Sequence, residues 1–296
     1  MTNGVWRGAI NTDWFECKNW DDARIPTAAT NVLIGNQAAQ NCVVGLGTGL
    51  QPGGTAVCGS LLQTFPPGTP KSLIVDVNST LNIGGALTLN FPSGAGGIVT
   101  SVLDNATLKA ATVNLSGYTL GATQASLRAD RVGSLLQVSG DMNINPGGML
   151  DLYGLGGGTL ELGGDFNNAE DADHFEETLS TVVFNGSTDQ TITSAVWNEA
   201  FYNLTMNKSG GDLLLTNYLT VNKVLNFTQG RILSSTATLL TLSATGIPAN
   251  MSNASHVDGP MQKIGDTNIV FPIGKNNLYR PAALSTISGG AAVAFT

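Results

Sequence analysis

The feature that most constrains the fold is a nine-residue pattern that recurs along the middle of the chain. It reads Leu-x-Φ-x-Gly-x-Φ-x-Φ, where Φ is an apolar residue. Clear and weaker copies begin at Leu81, Leu108, Leu136, Leu160, Val182, Leu204, Leu219 and Leu240. Six of the seven intervals between these starts lie between 21 and 28 residues, which is the period typical of solenoid proteins.

Within each copy, apolar residues alternate with polar ones, so each half of the pattern predicts a short strand with one buried face. The fifth position interrupts the alternation. It holds Gly85, Gly140 and Gly164 in three copies and Lys223 in a fourth. Because a lysine does not belong in a core, we place a bend there, where glycine supplies backbone dihedrals that other residues avoid.

Stacked copies of this unit predict an all-β fold, a parallel β-helix or β-solenoid, whose seven or eight coils lie about 4.8 Å apart. The eighth position holds Thr88, Asn143, Asn167 and Asn226, so we expect an outward ladder of polar side chains. The alternative is an antiparallel β-sandwich with irregular hairpins. The 15-residue interval after Leu204 fits the stack least, unless two strands of one coil both match the pattern.

The two ends of the chain do not follow the repeat. Residues 1–60 hold Trp6, Trp14 and Trp20, and we expect them to form an N-terminal cap over the open end of the coils at 61–245. A platform for stacking sugars is the alternative use of these tryptophans. Residues 246–296 predict a short C-terminal β segment that begins a further domain.

Composition excludes several classes of protein. The 296 residues include 37 glycines, and only 11% of them are charged, against 42% hydrophobic. A disordered chain and a coiled coil both need more charge. The net charge of −8 leaves no basic surface for nucleic acid. Residues 77–103 carry no charge, but their Asn, Gly and Pro residues exclude a membrane span.

The sequence holds few residues with catalytic or metal-binding potential. Cys17, Cys42 and Cys58 have no zinc-site spacing, and either one disulfide with a spare thiol or buried free thiols fit the count. Glycosidases need two nearby carboxylates, for which stacked coils offer Asp141, Asp151, Glu161 and Asp165. Exposed carboxylates on a solvated face are the simpler interpretation, so we expect no catalytic residue.

Two charged segments deserve a separate interpretation. The acidic stretch 165–177 offers Asp165, Asp171 and Asp173 as weak candidates for a Ca²⁺ site, although a solvated loop explains them as well. We expect no other cofactor. Arg128, Asp130 and Arg131 either meet an anionic sugar or, as we favour, form an internally paired turn.

Both ends of the chain carry loose motifs in a specific order. The opening contains Trp6-x-Gly8, Asp13-Trp14 and Asn19-Trp20, and the tail contains Val257-Asp-Gly259-Pro260 and Phe271-Pro272-Ile-Gly274. In this order around a β-helix repeat, they resemble large secreted surface proteins of Bacteroidetes. The resemblance implies export by the type IX secretion system and a role at the cell surface as an adhesin or stalk.

Taken together, the sequence predicts a non-enzymatic extracellular protein that acts as a rigid stalk or filament element. Its expected partners are adjacent domains of the same longer chain or other copies of itself, and surface glycans are a further candidate. We expect it to bind no nucleic acid and to have no membrane span. One alternative is a β-helix that binds or degrades carbohydrate. A second is a self-assembling extracellular fibre subunit that docks end to end by β-augmentation.

Overall fold

The computed structural model shows an all-β parallel solenoid, which confirms the predicted fold class. It describes residues 2–45, 54–65, 71–92, 99–117, 125–129, 131–153, 156–170, 174–195, 198–285 and 294–295. A 3-10 turn lies at Cys17–Asn19. No helix in the described part of the chain is long and apolar enough to cross a membrane.

Three stacked sheets form the sides of the solenoid, and we call them the first, second and third faces. The first face contains β1 (Thr2–Val5), β2 (Thr30–Ile34), β5 (Ser60–Thr64), β8 (Ala86–Asn90), β11 (Thr112–Ser116), β14 (Met142–Ile144), β17 (Phe166–Asn168), β20 (Gln190–Ser194), β22 (Leu213–Leu215), β24 (Ile232–Leu233), β27 (Val257–Asp258), β30 (Ile273–Lys275) and β31 (Leu278–Tyr279). Only β31 pairs antiparallel in this sheet.

The second face contains β4 (Thr55–Cys58), β7 (Thr80–Ile83), β10 (Thr107–Ala110), β13 (Leu135–Val138), β16 (Thr159–Leu162), β19 (Thr181–Phe184), β21 (Asn198–Asn207), β23 (Tyr218–Gln229), β25 (Leu240–Leu242), β26 (Ile247–Ala249), β28 (Met261–Ile264) and β33 (Ala294–Phe295). The third face contains β3 (Cys42–Val44), β6 (Leu73–Val75), β9 (Val99–Leu103), β12 (Ala125–Arg128), β15 (Gly148–Asp151) and β18 (Phe175–Glu176). A separate antiparallel pair joins β29 (Ile269–Phe271) and β32 (Ala282–Leu284).

Each early copy of the nine-residue pattern forms two strands on adjacent faces. The first half, as in β7, lies on the second face, and the second half, as in β8, lies on the first face. Its opening residues stack in register, since Leu108 pairs with both Leu81 and Leu136. All three side chains are buried, so the apolar positions of the pattern form columns through the core.

The bend between the two halves needs glycine for a different reason from the one we expected. Gly85, Gly140 and Gly164 are not in the left-handed region of φ. Their backbones instead touch the coil below, because a Cβ at Gly164 would lie 2.4 Å from the carbonyl carbon of Gly140. The Gly164 amide donates to the Gly140 carbonyl at 2.8 Å, so the bend itself is stacked by hydrogen bonds.

The short interval before Leu219 comes from two unusually long strands. Leu204 pairs with Leu225, while Leu219 lies beside Glu199 and Leu240. The repeat therefore continues from Leu204 to Leu225. Strands β21 and β23 pair in two parallel segments, one on each side of a register shift. The bend predicted at Lys223 is wrong, because this residue lies within β23, at a register shift between paired residues.

The cross-section of the solenoid changes along its axis. The third face ends at β18. On the second face, β21 follows β19, and only the second half of β21 pairs with it. The first half of β21 pairs only upward, with β23. The rings of Phe175, Phe166 and Phe201 contact one another with centroids 5.1 to 5.6 Å apart and fill the core at this change.

The corner between the third and second faces repeats a left-handed residue on five successive coils. Two positions before each second-face strand, φ is positive at Asn78, Asn105, Gly133, Gly157 and Leu179. Asparagine and glycine tolerate this conformation, whereas a leucine there is strained. In the sequence, Asn or Gly followed by Ser, Ala or Gly thus marks the corner. This signal lies just upstream of the nine-residue pattern.

The sheets continue through both segments that the sequence sets apart from the coils. Strands β1, β2 and β5 already stack in parallel within residues 1–60 and into 61–64, and β27 and β30 extend the same sheet beyond 245. The end strands then change direction. Trp20 pairs antiparallel with Trp6 below β1, and β31 and β33 pair antiparallel at the other end.

Substitutions at the left-handed corner test its role. We expect Gly157→Ala to lower the free energy of unfolding by about 2 kcal/mol or more, since its Cβ would meet the Leu179 carbonyl oxygen at 2.2 Å. Leu179→Asn, which restores the residue type of positions 78 and 105, should raise it by up to about 1 kcal/mol. Equilibrium urea unfolding measures both. Two variants of equal stability would contradict this assignment.

Candidate functional site

The outward side of the first face carries a row of asparagines. Asn143 pairs in register with Asn114 below and Asn167 above. Asn143 Nδ2 donates to Asn114 Oδ1, and Asn167 Nδ2 donates to Asn143 Oδ1, both at 2.9 Å. The Asn143 amide thus donates to one neighbour and accepts from the other, so the predicted ladder exists for Asn143 and Asn167 and extends to Asn114.

Asn226 does not belong to this ladder, which corrects the prediction. It lies in β23 on the second face, in register with Thr205. Its Oδ1 accepts a hydrogen bond from Asn250 Nδ2 at 2.7 Å. The pattern placed it on the first face because the bend expected at Lys223 is absent from that coil.

A second row on the first face consists of aspartates that hold the backbone of the next coil. Asp141 Oδ1 accepts from the Asp165 amide at 2.9 Å, and Asp165 Oδ1 accepts from the Thr191 amide at 2.7 Å. Near the bend one coil higher, Asp189 Oδ1 accepts from the Asp212 amide at 2.8 Å. Backbone N–H donors satisfy these charges, so acidic residues can stack where bare carboxylates would repel one another.

The four carboxylates considered for glycoside cleavage lie on three different faces. Asp141 and Asp165 are on the first face, where each accepts a hydrogen bond from a backbone amide of the next coil. Glu161 is on the second face and accepts from Gln137 Nε2 at 2.7 Å. Asp151 is on the third face, where Arg128 Nε lies 2.9 Å from its Oδ2. The structure therefore does not bring the four together around one substrate.

The charged segments have structural partners where they are described. Arg131 pairs with Asp104 at 2.9 Å and Arg128 with Asp151, both aspartates of neighbouring coils. The internal pairing expected for this turn stays a prediction, because Asp130 lies outside the described residues. Asp171 and Asp173 also lie outside them. Within the described ranges, no three His, Cys, Asp or Glu side chains are grouped to hold a metal ion.

The three N-terminal tryptophans form one buried cluster. Trp20 meets Trp6 and Trp14 edge to face, with centroids 5.0 and 4.8 Å apart. Trp20 Nε1 donates to the Trp14 carbonyl, and Trp6 Nε1 donates to the Gln40 carbonyl. Since all three are at most 2% exposed, their ring faces are not available to a sugar, and they fill the first coil instead.

Cys17, Cys42 and Cys58 are free thiols. Burial raises the pKa of Cys42 well above its ordinary value, and it raises the pKa of Cys58 to about 12. Cys42 and Cys58 are therefore held as neutral thiols, and as core residues they are chemically inert at neutral pH.

A pair of glutamates that the sequence gave no reason to single out lies where the third face ends. Glu199 is 2% exposed and accepts from Asn168 Nδ2 at 3.0 Å. Glu177 Oε1 accepts from Asn222 Nδ2 at 3.2 Å. Burial raises the pKa of both carboxyls, and the charge of Glu199 raises the pKa of Glu177 further. An acidic residue at an inward-facing strand position was the available sequence signal.

The asparagine ladder gives a stability prediction with a matched control. Asn143→Ala removes two side-chain hydrogen bonds, and we expect the free energy of unfolding to fall by about 1–2 kcal/mol. Asn226→Ala removes one solvent-exposed hydrogen bond and should cost about 0.5 kcal/mol or less. Urea unfolding of both variants measures the difference. An equal loss at the two positions would show that the ladder adds nothing.

The glutamate pair predicts a pH dependence of stability. The folded state binds the Glu199 proton more tightly than the unfolded chain, whose ordinary pKa is 4.5. The free energy of unfolding should therefore be highest below pH 4.5 for this group and fall as the pH rises toward the folded-state pKa. The slope for one proton is at most about 1.4 kcal/mol per pH unit.

Unfolding measured across this pH range should show a shallower fall in Glu199→Gln, because the amide carries no titrating proton. Glu177→Gln should also reduce the fall, since it removes the neighbouring charge that acts on the same pair. If both variants keep the pH profile of the parent protein, the pair does not titrate as the structure implies.

No family model, curated protein or solved structure matches the chain. Its role is therefore inferred from the stack of parallel strands, the side-chain rows on its faces and the closed strands at its ends.

Proposed function

We propose that this protein is a non-enzymatic extracellular spacer, a rigid β-solenoid stalk that holds other parts of a surface protein away from the cell. One observation carries the proposal: the parallel pairing of the first face is continuous from β1 to β30. Twelve parallel strands at about 4.8 Å make a rod about 50 Å tall. No hinge interrupts this sheet.

The lateral rows support a mechanical role. Interstrand hydrogen bonds of a parallel solenoid run along the rod axis, and the asparagine and aspartate rows add side-chain bonds in the same direction. A rod of this kind resists bending because every coil is tied to its neighbours on two or three faces.

The closed ends favour a spacer over a self-assembling fibre. End-to-end growth by β-augmentation needs free strand edges. At one end of the first face, the Asp21 amide donates to the Val5 carbonyl and Trp20 bridges Trp6. At the other end, β31 turns back antiparallel on β30. Both pairings occupy edges that another copy would need.

The surface location rests on sequence. The order of motifs around the repeat resembles secreted surface proteins of Bacteroidetes, for which type IX secretion and an adhesin or stalk role are the implied properties. The scatter of the candidate carboxylates over three faces supports a non-catalytic role over polysaccharide cleavage.

Rigidity can be measured by electron spin resonance between two nitroxide labels. Cysteines introduced at Ala28 and Thr267, both exposed, lie near opposite ends. Cys17→Ser removes the half-exposed native thiol, while the buried Cys42 and Cys58 do not react. We expect one narrow distance distribution.

The matched control places the second label at Thr193, part of the way along the first face. A rigid stalk gives distributions of similar width for the short and long pairs. A distribution that broadens with separation would contradict the spacer role. Antibody labelling of intact producing cells tests the location, and labelling seen only after lysis would exclude a surface protein.

A further inference from the structure

A polar groove runs along the corner between the second and first faces. Its volume is about 610 Å³, within the range of ligand-binding clefts. Its floor is formed by small corner residues of successive coils, among them Gly84, Ala111, Ser139 and Gly163, and it reaches Ser209. These corners span six coils, so the groove is about 24 Å long at the spacing of stacked strands.

The groove has walls of polar side chains. Lys109, Gln137 and Glu161 line one side, and they are neighbours in register on the second face. Asn185 and Ser187 lie one coil below Ser209, in the loop between β19 and β20, which is longer than the bends below it. One lysine and one glutamate balance each other, so the groove carries no net charge.

Several polar groups in this groove lack protein partners. Within the described part of the chain, the side chains of Lys109, Ser139, Asn185, Ser187 and Ser209 make no hydrogen bond or ion pair, and all five residues are exposed. The polar atoms of these five side chains are therefore free for a ligand, whereas Gln137 Nε2 is held by Glu161.

The backbone in the groove is not free, which decides the class of ligand. The amides of Gly84, Ser139, Gly163, Asn185 and Ser209 all donate to carbonyls of the coil below. A peptide that adds a strand needs unpaired main-chain groups at a sheet edge. A ligand here would instead bond to side chains spaced along the axis, and the balanced charges of Lys109 and Glu161 among uncharged polar groups favour a long, uncharged ligand rich in hydroxyl groups.

We infer that this groove binds a linear neutral polysaccharide laid parallel to the solenoid axis. The Oε1 of Gln137 would accept from sugar hydroxyls, and the hydroxyls of Ser139, Ser187 and Ser209 would exchange hydrogen bonds with them. Asn185 would contact the sugar beside Ser187, in the loop between β19 and β20. This inference goes beyond the spacer role, because a stalk without a ligand would keep the same fold.

Titration of neutral hexasaccharides tests the inference. The probes are cellohexaose, laminarihexaose, maltohexaose, mannohexaose and the hexamer of N-acetylglucosamine, followed by NMR chemical shifts and calorimetry on the full chain. We expect at least one to bind, with its shifts confined to the corner residues. Its disaccharide should bind at least about tenfold more weakly, since it fills only part of the length.

Paired variants separate the groove from the rest of the surface. Ser139→Ala combined with Asn185→Ala should weaken binding at least about tenfold, because two free hydrogen-bonding groups are lost. Both side chains are exposed and unbonded, so the fold is expected to persist, which circular dichroism and thermal unfolding check. The control, Thr193→Ala, changes an exposed side chain on the first face and should leave affinity unchanged.

Three results would overturn the inference. They are no binding by any of the five hexasaccharides, equal weakening by the groove variant and the Thr193 control, and tighter binding of an anionic hexagalacturonate than of every neutral probe. None of these results bears on the spacer role, which the distance distributions test separately.

Discussion

Parallel pairing between coils is the interaction on which the rest of the molecule depends. It places each residue about 4.8 Å above its counterpart in the coil below, so each position of the repeat lies beside the same position of the next coil. Apolar positions then become columns such as Leu81, Leu108 and Leu136, and outward amides become a ladder such as Asn114, Asn143 and Asn167. A residue therefore fits a position only if it packs or bonds well against the residue at the same position of the next coil.

That requirement explains how charge is used. The chain has few charged residues, and several inside the stack are stabilised by hydrogen bonds to the backbone. Asp141 and Asp165 are bonded to backbone amides, and Lys263 is buried with its Nζ donating to three carbonyl oxygens. The charged form of Glu199 is stabilised less, since burial raises the pKa of its carboxyl even though the Asn168 amide donates to it.

Much of the fold follows from the sequence because the repeat is a physical consequence of stacking. Alternation at Leu81 to Ile83 and at Leu87 to Leu89 was enough to predict two short strands and a bend. The change of cross-section could not be predicted in this way. Whether residue 223 bends or bulges depends on how Leu204 pairs with Leu225, and pairing across coils is not written in one nine-residue window.

The candidate surfaces were less predictable than the fold. Asn143 and Asn167 follow from position in the repeat, but Asn226 has the same position and a different face. The glutamate pair and the corner groove depend on loops of different coils meeting in space. The left-handed corner was visible in sequence as Asn78-Ser79 and Asn105-Ala106, and only the dihedrals show that Leu179 occupies the same place.

The change of strand direction at the two ends separates length from termination. Inner coils such as 107–116 and 135–144 pair with like coils above and below, whereas the Trp6 and Trp20 pairing and the turn back of β31 each occur once. Duplication of one inner coil would raise the far end by a single strand spacing and leave both terminations intact. The height of the rod is thus an independently adjustable property, set by a count of coils and not by the chemistry of its ends.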